Sequence, residues 1–172
     1  MRLTTFTDYA LRVLLHVATA PEERSTIAQI ARAYGVSAHH LVKVVHLLGK
    51  EKLLLNMRGR GGGLKLARPA RAIGIGEVVR LTEEPSVLAE CFQPDGQCKI
   101  TGRCQLARVL AEAHAAFYEV LDRYTLQDLV ANPRLKAILH LPRHAFPEVS
   151  LESPHRIVPG RHPRRGARGL PS

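Results

Sequence analysis

The sequence has 172 residues, 45% hydrophobic and 23% charged, which is ordinary for one globular domain with room for a core. This composition excludes fibrous and wholly disordered chains, and no apolar stretch reaches the roughly 18 residues of a membrane span. Lysine and arginine number 25 against 15 aspartate and glutamate, so the net charge is +10 and a polyanion such as nucleic acid is the first expected partner. The N-terminus shows no signal-peptide pattern, so we expect a cytoplasmic protein without membrane association.

The positive charge is unevenly distributed along the chain. Residues 1–71 carry a net charge of +8, residues 72–141 carry −2, and residues 142–172 carry +4. The last segment has six prolines and three glycines among 31 residues and almost no apolar periodicity, which predicts a disordered basic tail. We therefore divide the chain into a basic head, a slightly acidic middle segment and a basic tail.

The head begins with a pattern typical of three helices. Apolar residues recur at helical spacing from about residue 7 to residue 20, which predicts the first helix. Thr26 and Gln29 have the spacing of a capping box for a second helix, which Gly35 ends, and Ser37 caps a third. A short glycine-containing turn separates the last two helices, as in a helix-turn-helix.

The third helix has two distinct faces. The apolar face, which we expect to be buried, consists of Leu41, Val44, Val45 and Leu48. A separate cationic and donor-rich face carries His39, Lys43, His46 and Lys50, with His40 and Ser37 near its start. Such a face on the second helix of a helix-turn-helix suits entry into the major groove of DNA, although a solvated face of an ordinary bundle would have the same composition.

Two short apolar runs, 53–56 and 64–67, flank a glycine-rich turn and predict a β-hairpin. Arg58 and Arg60 project from this turn, and Gly61 and Gly62 let its backbone approach a surface closely. The hairpin therefore predicts the wing of a winged helix-turn-helix, with arginines placed for phosphates or the minor groove. A nucleotide-phosphate loop is disfavoured because no Gly-Lys-Ser/Thr ending and no helix follow the glycines.

All three cysteines lie in one segment, after a short helix expected around residues 76–83. Cys91, Cys98 and Cys104 have the spacing C-x6-C-x5-C with turn-forming residues between them, so a loop could place three thiolates around one centre. In a cytosolic chain this pattern indicates metal ligation or redox chemistry. Structural zinc normally has four ligands at tighter spacing, whereas an iron–sulfur cluster accepts irregular spacing, so a cluster is favoured. Three cysteines without a joint role are the remaining alternative.

A heptad-like seam follows the cysteines over about 19 residues. Its members are spaced by four and three residues in turn and are Leu106, Leu110, Ala113, Phe117, Val120 and Tyr124. A helix packed into the core of its own chain would show the same spacing, but beside a DNA reader the seam favours a homodimer on a palindrome. Thr125 and Asp128 then predict a capped short helix that packs back on the head.

Together these motifs resemble the Rrf-two family of winged-helix iron–sulfur regulators, and within it the repressors that respond to nitric oxide. The resemblance covers about residues 1–140 and rests on MRLTTFTDYALRVLLHVA, HHLVKVVHLLG, RGRGGGLKLARP, the cysteines preceded by LAECF, and AFYEVLDRYTLQDLV. It implies that the three cysteines ligate one iron–sulfur cluster per subunit, either 2Fe–2S or 4Fe–4S. Nitric oxide would attack the cluster's iron and so release the protein from double-stranded promoter DNA of nitrosative-stress genes.

The fourth cluster ligand needs separate consideration. Some relatives have a histidine three residues after the last cysteine, but here that residue is Ala107. Asp8 is our candidate, because it lies in a matched stretch and off the apolar face of the first helix. An acid in a first turn also stabilises the helix dipole without any ligand role. If Asp8 and the cysteines came from different subunits, loss of the cluster would remove a link that holds the two DNA-binding domains in position relative to each other.

The expected fold is mainly α with a small β-hairpin. We predict a winged helix-turn-helix DNA-binding domain in residues 1–71, an iron–sulfur loop and dimerisation helix in 72–141, and a disordered tail in 142–172. One alternative function is a regulator of iron–sulfur supply or iron status, which the missing histidine disfavours. Another alternative is a redox or electron-transfer iron–sulfur protein. The basic head disfavours it, because electron transfer needs no such surface. An enzyme is disfavoured because no nucleophile–base constellation is found.

Overall fold

The computed structural model describes residues 2–59, 61–83, 89, 92, 98–100 and 103–140. The elements in these ranges are, in chain order, α1 (Thr5–Thr19), α2 (Ile27–Tyr34), α3 (Ala38–Lys50), β1 (Leu54–Met57), β2 (Gly63–Leu66), α4 (Ile75–Thr82), α5 (Gln105–Asp122), α6 (Leu126–Val130) and α7 (Pro133–His140). The mainly helical fold with a small antiparallel hairpin is therefore confirmed. Within the described ranges, no helix is both long enough and apolar enough to cross a membrane.

The helices of the head begin and end where nearby groups satisfy their terminal backbone atoms. The Thr4 hydroxyl accepts a hydrogen bond from the Thr7 N–H at 3.2 Å, so α1 begins two residues before its expected start. The predicted capping box of α2 is present, and Gly35 ends this helix at a φ of 66°. Ser37 occupies the N-cap position of α3 but makes no side-chain capping hydrogen bond, so that predicted bond is wrong. This end of α3 is exposed, so water can satisfy its first N–H groups.

The hairpin forms as predicted and is joined by a third segment of chain. Leu54 lies opposite Leu66, and Met57 lies opposite Gly63. The Ser25 N–H donates to the Leu64 carbonyl at 3.2 Å, and the Leu64 N–H donates back to the Ser25 carbonyl at 2.7 Å. This β-bridge, which the sequence did not predict, attaches the hairpin to the link between α1 and α2.

One hydrophobic core contains side chains from the head and from the segment that follows it. The predicted apolar faces of α1 and α3 are confirmed, since the core includes Ala10, Val13, Leu14, Val17, Leu41, Val44, Val45 and Leu48. Ile73, Val78 and Val79 lie in the same core although they follow residue 71. Leu126 of α6 is fully buried there, behind the predicted Thr125–Asp128 capping box. The expectation that a short helix packs back on the head is confirmed.

An ion pair joins α4 to the end of α5. The Arg80 guanidinium donates to both carboxylate oxygens of Asp122, at 2.7 and 2.5 Å, and lies over the Tyr118 ring at 4.4 Å from its centroid. The hydrogen bond from Arg80 lowers the pKa of Asp122. A Cβ atom on Gly76 would lie 1.9 Å from the Asp122 Oδ1 atom, so a larger residue at this position would displace the Asp122 carboxylate. The last turn of α5 is thus paired with α4.

The sequence analysis missed α7. The Arg134 N–H donates to the Asn132 side-chain oxygen at 3.0 Å, and Pro133 occupies the first helical position. Proline suits that position because its missing N–H would have no partner inside the helix. Asn132-Pro133 was therefore an available signal for a helix start. The helix contacts α1, α2 and α6, so it packs back on the head.

Candidate nucleic-acid interface and cysteine segment

α3 packs one side against α1 and α2 and leaves the other side open. The buried side consists of the four predicted apolar residues. The open side, here named the recognition face, consists of the exposed residues His39, Val42, Lys43, His46 and Lys50. The sequence analysis placed all of these except Val42 on a separate face of the helix. The structure therefore presents a cationic helix surface of the kind that fits a major groove.

Ser37 and His40 lie at the N-terminal end of α3 beside the recognition face, and both are exposed. The His40 ring stacks on Tyr9 of α1, with the ring centroids 6.2 Å apart and the planes at 21°. α1 therefore orients the first turn of α3. The Ser37 hydroxyl, which makes no capping bond, is available to contact a phosphate oxygen.

The turn of the hairpin depends on its glycines. Gly59 and Gly61 have φ values of 89° and 78°, which favour glycine. The Gly62 N–H donates to the Gly59 carbonyl at 2.9 Å, and an added Cβ on Gly62 would lie 2.3 Å from the Met57 carbonyl oxygen. Arg58 is exposed beside this turn, whereas Arg60 lies outside the described residues. The close backbone contacts of Gly62 therefore require glycine at this position of the turn.

Arg24 supports the wing from the link between α1 and α2. Its guanidinium Nη1 donates to the Gly61 carbonyl, 37 residues later in the chain. The next residue, Ser25, forms the β-bridge to the second strand of the hairpin. The sequence analysis missed this contact, because nothing in the local spacing indicates that these two turns meet. The contact holds the wing tip and adds a cation beside it.

Glu83 joins the end of α4 to the beginning of α1. Its Oε1 accepts hydrogen bonds from the Thr4 backbone N–H at 2.8 Å and from the Thr4 hydroxyl at 3.1 Å. Burial raises the pKa of the Glu83 carboxyl, but hydrogen bonds from Thr7 and from Thr4 outweigh this and lower the pKa below its ordinary value. Glu83 is the last residue described before residue 89. The chain therefore leaves for the cysteine segment from a buried anchor on α1.

Asp8 lies in the first turn of α1 and pairs with Arg12 one turn later. The Arg12 Nε and Nη2 atoms each lie 2.9 Å from a carboxylate oxygen of Asp8, and the two side chains are 39% and 44% exposed for Arg12 and Asp8. The Arg12 guanidinium also lies over the Tyr34 ring of α2, 5.6 Å from its centroid. Burial raises the pKa of Tyr34 to about 12, although the charge of Arg12 opposes the rise. Asp8 is therefore accessible and is coupled through Arg12 to α2.

The predicted cysteine ligands fall partly within the described residues. Cys98 and Cys104 are both half-buried, and Cys104 is the N-cap residue of α5. Cys91 lies outside the described residues. Among the described side chains, no three from His, Cys, Asp and Glu come together as metal ligands. The structure therefore does not bring Asp8 into one group with Cys98 and Cys104 of the same chain.

α5 exposes part of the predicted seam. Leu106 and Val120 are 63% and 46% exposed, and Val109, which the sequence analysis did not include, is 56% exposed. Ala113 is also exposed, whereas Leu110 and Phe117 are half-buried and Phe117 packs against the core of its own chain. Tyr124 lies two residues beyond the end of α5, so its placement on the helical seam is wrong. The turn after Asp122 takes its backbone out of the helix.

Comparison with known proteins places this architecture in a family. Residues 3–132 match the family model described as "Rrf2: Iron-dependent Transcriptional regulator". The HTH-type transcriptional regulator NsrR of Shouchella clausii is 45% identical over 142 residues, covering 81% of this chain and 95% of the relative. The regulator of the same name in Bacillus subtilis is 48% identical over 134 residues, covering 77% and 92%.

A solved structure supports the same placement. The structure of CymR, described as the global cysteine regulator of B. subtilis, superposes with a TM-score of 0.63 at 25% identity, covering 76% of this chain and 97% of that one. The homologues and the structural neighbour are regulators, which confirms the expectation that the chain is not an enzyme. The chain belongs to the Rrf2 family and is a transcriptional regulator.

Proposed function

We propose that the protein is a nitric-oxide-responsive repressor whose iron–sulfur cluster controls its binding to promoter DNA. It acts as a homodimer and, because its partner is bacterial promoter DNA, in the cytoplasm. The observation that carries this proposal is the Glu83–Thr4 contact. It joins the end of α4, eight residues before Cys91 in the sequence, to the start of the first helix of the DNA reader, which supports a link between the cysteine segment and the reader.

The DNA surface of the proposal consists of the recognition helix and the wing. His39, Lys43 and His46 face the base edges, and Ser37 and His40 contact the backbone at the start of α3. Arg58, Arg60, Gly61 and Gly62 bring the wing against phosphates or into the minor groove. This assignment agrees with the net charge of +8 in residues 1–71, which remain the proposed DNA-binding domain.

The cluster ligands of the proposal are Cys91, Cys98, Cys104 and Asp8. The donor types among the described residues fit such a group, because Cys98 and Cys104 carry half-buried thiols and Asp8 carries a partly exposed carboxylate. The Asp8–Arg12 pair is exposed, and exposed ion pairs contribute at most about 1 kcal/mol, so Asp8 can exchange Arg12 for a metal. Among the described residues, Asp8 is not grouped with Cys98 and Cys104 of its own chain, so the proposal assigns it to the cluster of the partner subunit.

These ligands would connect the two subunits to the DNA surface. When bound, the cluster supplies iron that nitric oxide can attack. In the structure Asp8 pairs with Arg12, whose guanidinium lies over the Tyr34 ring of α2. The first turn of α1 also carries Tyr9, which stacks on His40 at the start of the recognition helix. Ligation of a cluster by Asp8 would therefore change the contacts through which α1 supports both helices of the reader.

The homodimer of the proposal forms through the exposed side of α5. Leu106, Ala113 and Val120 supply the seam, with half-buried Leu110 and Phe117 at its edge. The exposed Tyr124 contributes from the turn after the helix. At 18 residues, α5 is about 27 Å long, which is enough for a helix pair. The pair would hold two readers for half-sites about one DNA turn apart.

The decisive experiment is metal analysis followed by nitric-oxide titration. We expect protein purified without oxygen to contain iron and sulfide, and to bind a duplex selected from a random pool until nitric oxide is added. Cys98→Ala should lose the cluster absorbance and specific binding while keeping its helical circular dichroism. Zinc without iron would refute the cluster, and binding that nitric oxide does not change would refute the sensing function.

The fourth ligand has its own test. Asp8→Ala should change the cluster spectrum and the nitric-oxide response. Glu22→Ala, which removes an exposed acid from the link after α1, is the matched control and should change neither. If Asp8→Ala kept the wild-type spectrum and response, Asp8 would be an ordinary helix-dipole residue.

An iron-status or cluster-supply regulator is the second candidate, which the description of the family model as iron-dependent favours. It shares the DNA surface and the cysteines with the first candidate. The two differ in the signal: DNA binding by an iron-status regulator should respond to iron removal and stay unchanged at stoichiometric nitric oxide. The same titration therefore distinguishes them.

A further inference from the structure

Val42 is an apolar residue in the middle of a polar surface. It is 52% exposed, whereas the branched apolar residues of α3 at positions 41, 44, 45 and 48 are buried and Leu47 is half-buried. At about 100° per residue, Val42 lies roughly 60° around the helix from His39 and 40° from His46. Valine is also a poorer helix former than alanine. Neither core packing nor helix propensity therefore accounts for valine at this position.

The chemistry of the major groove offers a matching group. Its base edges carry hydrogen-bond donors and acceptors, and the 5-methyl group of thymine is their apolar feature. The imidazole and ammonium groups beside Val42 can donate hydrogen bonds to acceptors on neighbouring bases. The valine methyl groups can make an apolar contact with the thymine methyl group. We infer that Val42 contacts a thymine 5-methyl group in each operator half-site and thereby sets the preference at one base pair. This inference rests on the proposed DNA binding by α3.

The size of the effect follows from the buried area. Covering one methyl group contributes about 0.8 kcal/mol, which corresponds to about a fourfold change in affinity at 1.4 kcal/mol per tenfold. Replacing thymine by deoxyuridine removes this methyl group and leaves base pairing intact. The substitution in one half-site should therefore weaken binding about fourfold, and in both half-sites about fifteenfold.

The experiment uses the full-length protein purified without oxygen and a duplex selected with it from a random pool. Each thymine of the selected consensus is replaced singly by deoxyuridine, and affinity is measured for wild-type and Val42→Ala proteins. We expect one thymine per half-site at which deoxyuridine weakens wild-type binding about fourfold and leaves Val42→Ala binding unchanged. Ile138→Ala is the matched control, since Ile138 is similarly exposed at 46% but lies on α7, outside the proposed DNA surface. It should keep the wild-type deoxyuridine effect.

The outcomes separate this inference from the proposed function. Enrichment of a consensus in which no thymine methyl group matters, or in which it matters equally for Val42→Ala, overturns the role of Val42 and leaves DNA reading intact. A selection that enriches no sequence at all refutes sequence-specific DNA reading, and the role of Val42 with it.

Discussion

Replacing Glu83 by glutamine tests whether a buried carboxylate holds the end of α4 on the start of α1. The Glu83 side chain is 9% exposed, and its Oε1 accepts two hydrogen bonds from Thr4. Glutamine keeps the shape and one acceptor oxygen but removes the charge. A hydrogen bond to a charged group contributes about 1.5–3 kcal/mol against about 0.5–1.5 kcal/mol for a neutral one. Two such bonds therefore predict a loss of about 2 kcal/mol for Glu83→Gln at pH 7.

The pH dependence of the stability difference between wild type and Glu83→Gln provides a second, independent test. The folded-state pKa of Glu83 is lowered, so its charged form stabilises the fold above the unfolded pKa of about 4.3. This contribution is lost as the pH falls through the folded-state pKa. The wild type should lose it in acid, whereas Glu83→Gln has none to lose. The difference in unfolding free energy between the two proteins should therefore shrink as the pH falls below about 4.3.

Urea unfolding of the metal-free chain, at one protein concentration and at several pH values, measures this difference. Glu77→Gln is the control on the same helix, because Glu77 is exposed and pairs with Arg68. An exposed pair should cost less than about 1 kcal/mol. If Glu83→Gln were no less stable than Glu77→Gln at pH 7, or if its deficit persisted in acid, the anchoring role of this carboxylate would be refuted.

Three further substitutions test the wing, the core and the seam. Gly62→Ala should weaken DNA binding at least about tenfold without unfolding the core, because its Cβ meets the Met57 carbonyl; unchanged anisotropy titrations would contradict the turn geometry. Leu126→Ala should lower the unfolding free energy by about 2–5 kcal/mol, since this side chain is fully buried, and a smaller loss in urea would contradict its place in the core. Leu106→Asp should shift the sedimentation coefficient toward that of a monomer, and an unchanged dimer would contradict the assignment of the dimer interface to this face of α5.

Local chemistry was enough to predict most of the head. The capping box of α2 and the left-handed Gly35 involve residues close in sequence, so spacing reveals them. The buried face of α3 follows from its helical periodicity in the same way. Ser37 shows the limit of such reasoning: the residue type fits an N-cap, but solvent at this end can replace the side-chain bond.

Two contacts that the sequence did not reveal join distant parts of the chain. Arg24 meets the wing turn 37 residues later, and Glu83 meets Thr4 from 79 residues away. Periodicity describes one element at a time and contains no information on which ends meet. Tyr124 failed for a related reason, because heptad spacing continues across the last turn of α5 although the backbone leaves the helix. The end of that helix is fixed by the tertiary pair of Arg80 and Asp122.

α1 makes one strong contact and one weak contact near its start. The Glu83–Thr4 contact is partly buried and uses charged hydrogen bonds, so it is costly to break and keeps the end of α4 on the start of α1. The Asp8–Arg12 pair, one turn further along, is exposed and weakly held, so a competing ligand can replace it. A signal acts more easily on the weak contact than on the strong one. If Asp8 ligates a cluster as proposed, a change there would reach α2 through the contact of Arg12 with Tyr34, and α3 through the contact of Tyr9 with His40.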